Sequence, residues 1–216
     1  YNKEHNNFER IVRGSKFQTG IGAMMYFNNY IWYETGSILY KLHVVTHEIE
    51  EVPLNLKSQY GFFVRSLSVT KSGLILVGTH GNGLLIINEA GKIIKSLNDD
   101  KLSSFVFSSI EDSDEIIWIG TWGGGLVRYS LIDDKYQIIN STHFNINDTV
   151  FGIVEDRDDV WVSTYEGIYK IENCGHSDWP CSPSITNYTN LDGLQSKEFD
   201  ADGYGKLNSG EIYFSG

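Results

Sequence analysis

The stretch IWIGTWGGGLVRYS (residues 117–130) decides the reading of this chain: a tryptophan-bearing apolar run, a glycine loop carrying a second tryptophan, then another apolar run. Alternation along IWIGT sends Trp118 to one face of an extended strand and Ile117 and Ile119 to the other. Bulk on both faces calls for a sheet covered on both sides. Working outward, the same run recurs as IWYET (31–35), ILVGT (75–79), VWVST (160–164) and IYFSG (212–216). Their second positions, Trp32, Leu76, Trp118, Trp161 and Tyr213, stand 44, 42, 43 and 52 residues apart. Upstream of each lies an alternating apolar segment ending in polar turn residues, and downstream a turn, a second apolar strand and an edge-like strand such as GKIIKSL or KYQIIN. Four short strands per 40–45 residues is the pattern of a β-propeller blade, whose sheet buries its faces only by stacking on its neighbours.

The expected fold is therefore all-β: a partial propeller of four-stranded antiparallel blades, about four full and two half. The expected divisions are 1–20 (outer half of a preceding blade), 21–57, 58–100, 101–143, 144–192 and 193–216 (inner half of a further blade). Tyr1 and Phe8 repeat the spacing of Tyr129 and Tyr136, which places the start in an outer half. The longer last interval maps onto a loop insertion around Cys174 and Cys181 in the fourth unit. These two cysteines are read as a disulfide, with two unpaired thiols as the alternative; a zinc site would need two more ligands than His176 supplies.

Composition narrows function. Among 216 residues, 17 Lys and Arg stand against 28 Asp and Glu, a formal charge of −11, which disfavours nucleic acid and anionic membranes. Aromatics at 13% and 22 glycines suit strands and tight turns. No apolar run spans a bilayer, so direct membrane insertion by this stretch is not expected. Because the chain opens on Tyr1, it reads as a processed or excised piece of a longer protein.

The pattern iWIGTwgGGLvrY, preceded by an acidic strand end at Glu111 and Asp112 and followed by LDGLQSKEF (191–199) and GEIYFSG (210–216), resembles the two-component regulator propeller repeats of bacterial sensor proteins. Glu34 and Ser163 depart from it, each standing where the repeat has glycine. The resemblance implies the extracytoplasmic sensor region of a histidine kinase, hybrid regulator or diguanylate cyclase, on the periplasmic side of a bacterial inner membrane. It further implies an oligosaccharide or other small ligand, a neighbouring propeller or Ig-like domain of the same protein as partner, and homodimer formation as an option. The output domain, kinase or cyclase, would lie elsewhere in the full-length protein.

The loop TWGGGL leads into a strand rather than a helix, so it lacks the amide cluster and dipole of a phosphate cradle. Glycines permitting positive φ between antiparallel strands explain it better. The residue after the threonine is left over: His80, Trp122 and Tyr165 occupy one position in three successive units. In a propeller that loop shares a face with the loop leading into the next blade, which adds Arg65, Phe105 and Asp148. Rigid aromatic planes with a few polar groups suit sugar rings, and these six residues are the expected ligand site; the alternative is that the rings merely cover the ends of the inter-blade cores. Acidic groups at Asp99 and Asp100, Glu111, Asp112 and Asp114, Asp133 and Asp134, and Asp156, Asp158 and Asp159 fall at repeat-equivalent turns, where solvent is the expected environment. The segment EDSDE comes nearest to a calcium loop. No catalytic signature, metal spacing or cofactor motif appears, so no catalytic residue, metal or cofactor is expected; a glycan-processing enzyme and a protein-interaction scaffold remain the competing classes.

Overall fold

The computed structural model describes residues 22–35, 37–54, 63–98, 102–175 and 179–216. The outer half-blade expected at 1–20 and the pair Asp99 and Asp100 lie outside the described residues. Four antiparallel four-stranded sheets follow one another along the chain. The first is β1 (Met24–Phe27), β2 (Tyr30–Thr35), β3 (Ile38–His43) and β4 (Ile49–Val52). The second is β5 (Val64–Val69), β6 (Ile75–Thr79), β7 (Leu84–Ile87) and β8 (Ile93–Leu97). The third is β9 (Val106–Glu111), β10 (Ile116–Thr121), β11 (Leu126–Ser130) and β12 (Lys135–Ile139). The fourth is β13 (Val150–Asp156), β14 (Asp159–Thr164), β15 (Gly167–Glu172) and β16 (Ser184–Tyr188), and β17 (Tyr204–Lys206) pairs with β18 (Ile212–Phe214) in a two-stranded start of a fifth sheet. The first strands β1, β5, β9, β13 and β17 lie side by side. This is an all-β propeller arc, each sheet a blade with its first strand at the axis.

The anchor residues sit on the second strand of each blade, and the two faces behave as alternation requires. Trp32 and Leu39 of the first blade pack with Ile75, Val77, Leu85 and Ile87 of the second. Leu76, Leu84 and Ile86 pack with Ile117, Ile119, Val127 and Tyr129 of the third. Trp118 and Leu126 pack with Ile153, Val160, Val162 and Tyr169 of the fourth. Every blade thus covers one apolar face of the next, and each such fully buried leucine or isoleucine contributes roughly 1.5–3 kcal/mol by leaving water.

A second regularity explains the two departures from the repeat. Ser66 opposes Gly78, and Ser108 opposes Gly120, across the first two strands of their blades. In the fourth blade the pair is exchanged: Gly152 stands on the inner strand and its amide donates to the Ser163 hydroxyl at 3.0 Å. The first and fifth blades match the fourth, with Gly22 donating its amide to the Glu34 carbonyl and Gly203 accepting from the Ser215 amide. One partner must lack a side chain, because a Cβ at Gly120 would collide with the Ser108 hydroxyl and come within 2.9 Å of the Val150 carbonyl of the next blade. Glu34 and Ser163 are therefore accommodated by Gly22 and Gly152.

The fourth blade carries its insertion between β15 and β16, where Cys174 and Cys181 form a disulfide. The loop leans on the third blade. Buried Arg128 donates to the carbonyls of Cys174 (3.2 Å) and Gly175 (2.6 Å), and its guanidinium lies 4.4 Å from the centre of the Trp179 ring. The Gln137 amide donates to the Cys181 carbonyl and accepts from the Cys181 N–H, both at 2.9 Å, as a strand neighbour would.

Candidate functional site: an aromatic face at the propeller mouth

The loop between second and third strands is built alike in three blades. The threonine closing the second strand donates its hydroxyl across the turn: Thr79 to Gly83, Thr121 to Gly125 and Thr164 to Gly167, at 2.7–3.0 Å. Gly125 has φ +80°, and a Cβ there would press on the Ile139 carbonyl, so the glycine is required twice over. The loop then docks on the segment leading into the next blade, with Gly83 N–H donating to the Ser104 carbonyl and Gly125 N–H to that of Asp148, both at 2.8 Å. The glycines serve a strand-to-strand turn. No helix follows them and no anion cradle forms.

This docking brings most of the predicted face together. The His80 and Phe105 rings meet edge to face at 4.4 Å, and Phe105 meets Trp122 at 6.4 Å. Trp122 stacks on Phe107 at 5.7 Å, Phe107 meets Phe151 at 5.2 Å, and Phe151 meets Tyr165 at 4.6 Å. Phe63 extends the line beyond His80 at 6.4 Å. Seven rings thus run without a break across three blades. Phe151 is buried while Trp122 is 53% exposed and Tyr165 47%, so the line is core at one point and open surface at others.

Phe63, Phe107 and Phe151 were not among the expected site residues. The cause for Phe107 and Phe151 is a β-bulge at one repeat-equivalent place on the inner strands: pairing skips between Val64 and Ser66, between Val106 and Ser108, and between Val150 and Ile153. Arg65, Phe107 and Phe151 stand at the skips, and bulges re-aim side chains in this manner. Arg65 accordingly reaches its repeat neighbour, with its guanidinium 5.4 Å from the centre of the Phe107 ring.

Asp148 takes a different part from a free ligand-binding carboxylate. It accepts from the Ser141 amide at 2.7 Å and the Ser141 hydroxyl at 2.8 Å, which ties down the one-turn helix α1 (Ser141–Phe144). Beside it a hollow of about 480 Å³ opens between Asn145, Asn147, Asp148, Tyr165, Glu166 and Asn187. Amide groups offer both donors and acceptors, and Tyr165 supplies a ring face. Tyr169 at the same hollow is held protonated by burial and, secondarily, by the Glu166 charge.

Among the acidic turn residues Asp114, Asp133, Asp134 and Asp158 are exposed as expected, whereas Asp112 is not. Asp112 is buried, accepting from the Asp114 and Ile116 amides at 2.9 Å and from the Trp118 indole N–H at 2.6 Å. Burial raises its pKa and those hydrogen bonds lower it in part. Glu111 accepts from the Lys71 amide of the preceding blade at 2.6 Å, and Glu155 from the Ser113 amide at 2.7 Å. The acidic pair therefore staples blades and caps the turn that holds the tryptophan. Its oxygens are spent on amides and indole rather than arranged as a calcium loop, and among the described residues no group of three or more His, Cys, Asp or Glu is placed to hold a metal ion.

Fold and face together define a repeat propeller with an aromatic mouth. Residues 100–123 match the family described as two component regulator propeller. The chain resembles the extracellular domain of the hybrid two component system BT3049 from B. thetaiotaomicron at 21% identity and a TM-score of 0.81, over 99% of this chain and 29% of that one. It resembles the extracellular domain of BT4673 from the same organism at 18% identity and a TM-score of 0.70, over 94% and 27%. Virginiamycin B lyase from Staphylococcus aureus shares the fold at 16% identity and a TM-score of 0.68, over 94% and 65%. No curated protein matches the chain. The chain thus spans less than a third of the two extracellular domains. No helix among the described residues is long and apolar enough to cross a membrane.

Proposed function

We propose that this propeller is part of the extracytoplasmic ligand-sensing region of a two-component regulator and takes a carbohydrate on its aromatic mouth, relaying occupancy to a kinase or cyclase elsewhere in the protein. The observation that carries the reading is the unbroken line of seven rings, half exposed at Trp122 and Tyr165 and ending beside an amide-lined hollow. Sugar rings present apolar C–H faces to such planes while their hydroxyls exchange hydrogen bonds with amides. The repeat match and the likeness to extracellular domains of two-component systems support the sensor class. The blades are rigid, so a ligand would act by favouring one packing of the propeller against its neighbour domain over another.

Since a lyase shares this fold, architecture alone does not separate sensor from enzyme. The test is a thermal-shift series against neutral oligosaccharides, read beside product analysis. Binding to the folded state at a hundredfold excess over Kd adds about 2.7 kcal/mol. A melting shift that Trp122→Ala abolishes, without sugar cleavage, supports the sensor site. Cleavage lost on replacing a pocket carboxylate such as Glu166 overturns it in favour of an enzyme. No shift with any sugar leaves a protein-interaction scaffold.

A further inference from the structure

Phe107 and Phe151 carry the middle of the aromatic line, and both stand at bulges, where the inner strand is not fixed by its own ladder. A single residue of the fifth blade reaches both bulges. Tyr204, on β17, lays its ring over Gly152, the residue after Phe151, so closely that a Cβ at Gly152 would collide with the ring carbons. Its hydroxyl is engaged by the side chain of Ser108, the fully buried residue after Phe107. One side chain thus spans two blades and rests on the chain beside both phenylalanines. Burial first, and the Asp202 charge second, push that hydroxyl up to about 12 against the opposing effect of Ser108, so it keeps its proton across the physiological range.

We propose that Tyr204 is a positioning residue of the aromatic mouth: it couples the placement of Phe107 and Phe151 to the docking of the fifth blade, so that mouth and blade regulate one another. The proposal rests on the mouth being the binding face, and it names the element through which occupancy would leave the propeller. The blade that supplies Tyr204 is slight. Its strands β17 and β18 are the shortest described, three residues each, with Tyr204 opposite Phe214. Two other contacts tie the segment to the fourth blade: the Phe199 amide donates to the Thr164 carbonyl at 3.2 Å, and Lys206 holds the Glu155 carbonyl and the Asp156 carboxylate. The flexible Lys206 side chain can follow a small displacement of β17. A ring packed on glycine cannot, so close packing passes the displacement on to the bulges. Such coupling is reciprocal, and a change at Phe107 must be felt at β17 as much as the reverse.

The experiment is fluorine NMR of protein carrying 5-fluorotryptophan, with the Trp122 resonance identified by its loss in Trp122→Phe and Trp32 of the first blade as internal standard. Trp122 stacks on Phe107, so its resonance reports where that ring lies. Tyr204→Phe, which keeps the ring and removes the hydroxyl, should move the Trp122 resonance by more than its linewidth while Trp32 stays. Ser108→Ala should do the same, and the double variant should add nothing further, because both changes remove one contact. In the reverse direction, Phe107→Leu should speed hydrogen exchange of the Ser215 amide, which donates to the Gly203 carbonyl in the fifth blade, by about two- to tenfold. The Glu34 amide of the first blade, bonded to the Ala23 carbonyl, should exchange as before. An unmoved Trp122 in both Tyr204→Phe and Tyr204→Ala, even with lowered melting temperatures, makes Tyr204 a space filler and overturns the proposal. Additive shifts in the double variant, or unchanged exchange at Ser215 in Phe107→Leu, overturn it too. None of these measurements uses a sugar, so the carbohydrate reading fails separately, when no oligosaccharide raises the melting temperature, and that failure leaves the shifts as they are.

Discussion

Replacing Asp112 with alanine tests the central packing device. In the native protein the Trp118 indole N–H, buried with its ring at 1% exposure, has the Asp112 carboxylate as acceptor at 2.6 Å, and the same carboxylate takes the Asp114 and Ile116 amides. Alanine leaves a buried donor unpaired, at a cost of about 1–3 kcal/mol, and unties the turn, which costs about 1 kcal/mol more. Against this stands the relief of the burial that raises the carboxylate's pKa. The net expectation is a loss of about 2–3 kcal/mol. Trp118→Phe removes the donor while keeping an aromatic ring, so the double variant should be less damaged than the two singles summed, with a coupling of about 1–2 kcal/mol. The assay is equilibrium urea unfolding of the four proteins at one pH. A coupling near zero, or an Asp112→Ala loss below about 0.5 kcal/mol, as for an exposed turn residue, would refute the argument.

Other predictions concern charge, staples and the disulfide. Burial raises the Glu34 pKa against the lowering effect of the Ser37 and Gly22 amides, so the contribution of this group to stability is present below the usual carboxylate range and lost as pH rises through its folded value. Glu34→Gln, compared with wild type by thermal melts at pH 4 and pH 7, should gain at pH 7 and show the smaller difference between the two. Glu111→Ala should cost about 1 kcal/mol or less and speed hydrogen exchange at the Lys71 amide, which loses its acceptor; unchanged exchange there would contradict the inter-blade bond. Replacing Cys174 and Cys181 with serine should lower stability by about 2.5 kcal/mol, the loop-closure value for so short a ring, as read by urea unfolding.

Much of the architecture was legible because a blade cannot bury itself: the need for a lid on each face repeats Trp32, Leu76, Trp118 and Trp161 at nearly constant spacing. The contributions of His80, Trp122 and Tyr165 to one face were legible for the same reason, since equivalent loops share a side of the ring. Phe107 and Phe151 escaped notice because strict alternation assigns them by parity, and a bulge resets parity without marking the sequence. The exchange of glycine between Ser108–Gly120 and Gly152–Ser163 was hidden as well, because it becomes visible only when the opposing strand is known. Turn carboxylates such as Asp112 were misjudged because local turn preference and acceptance of a distant indole N–H call for the same residue type.

Three of the staples between blades reach back from a blade to its predecessor. The Lys71 amide is held by Glu111, the Ser113 amide by Glu155, and the Lys206 ammonium closes on the Glu155 carbonyl and the Asp156 carboxylate. The second, third and fourth blades are thus each latched by a successor, a nearest-neighbour ladder in which the third and fourth blades, held on both sides, should exchange their core amides more slowly than the first.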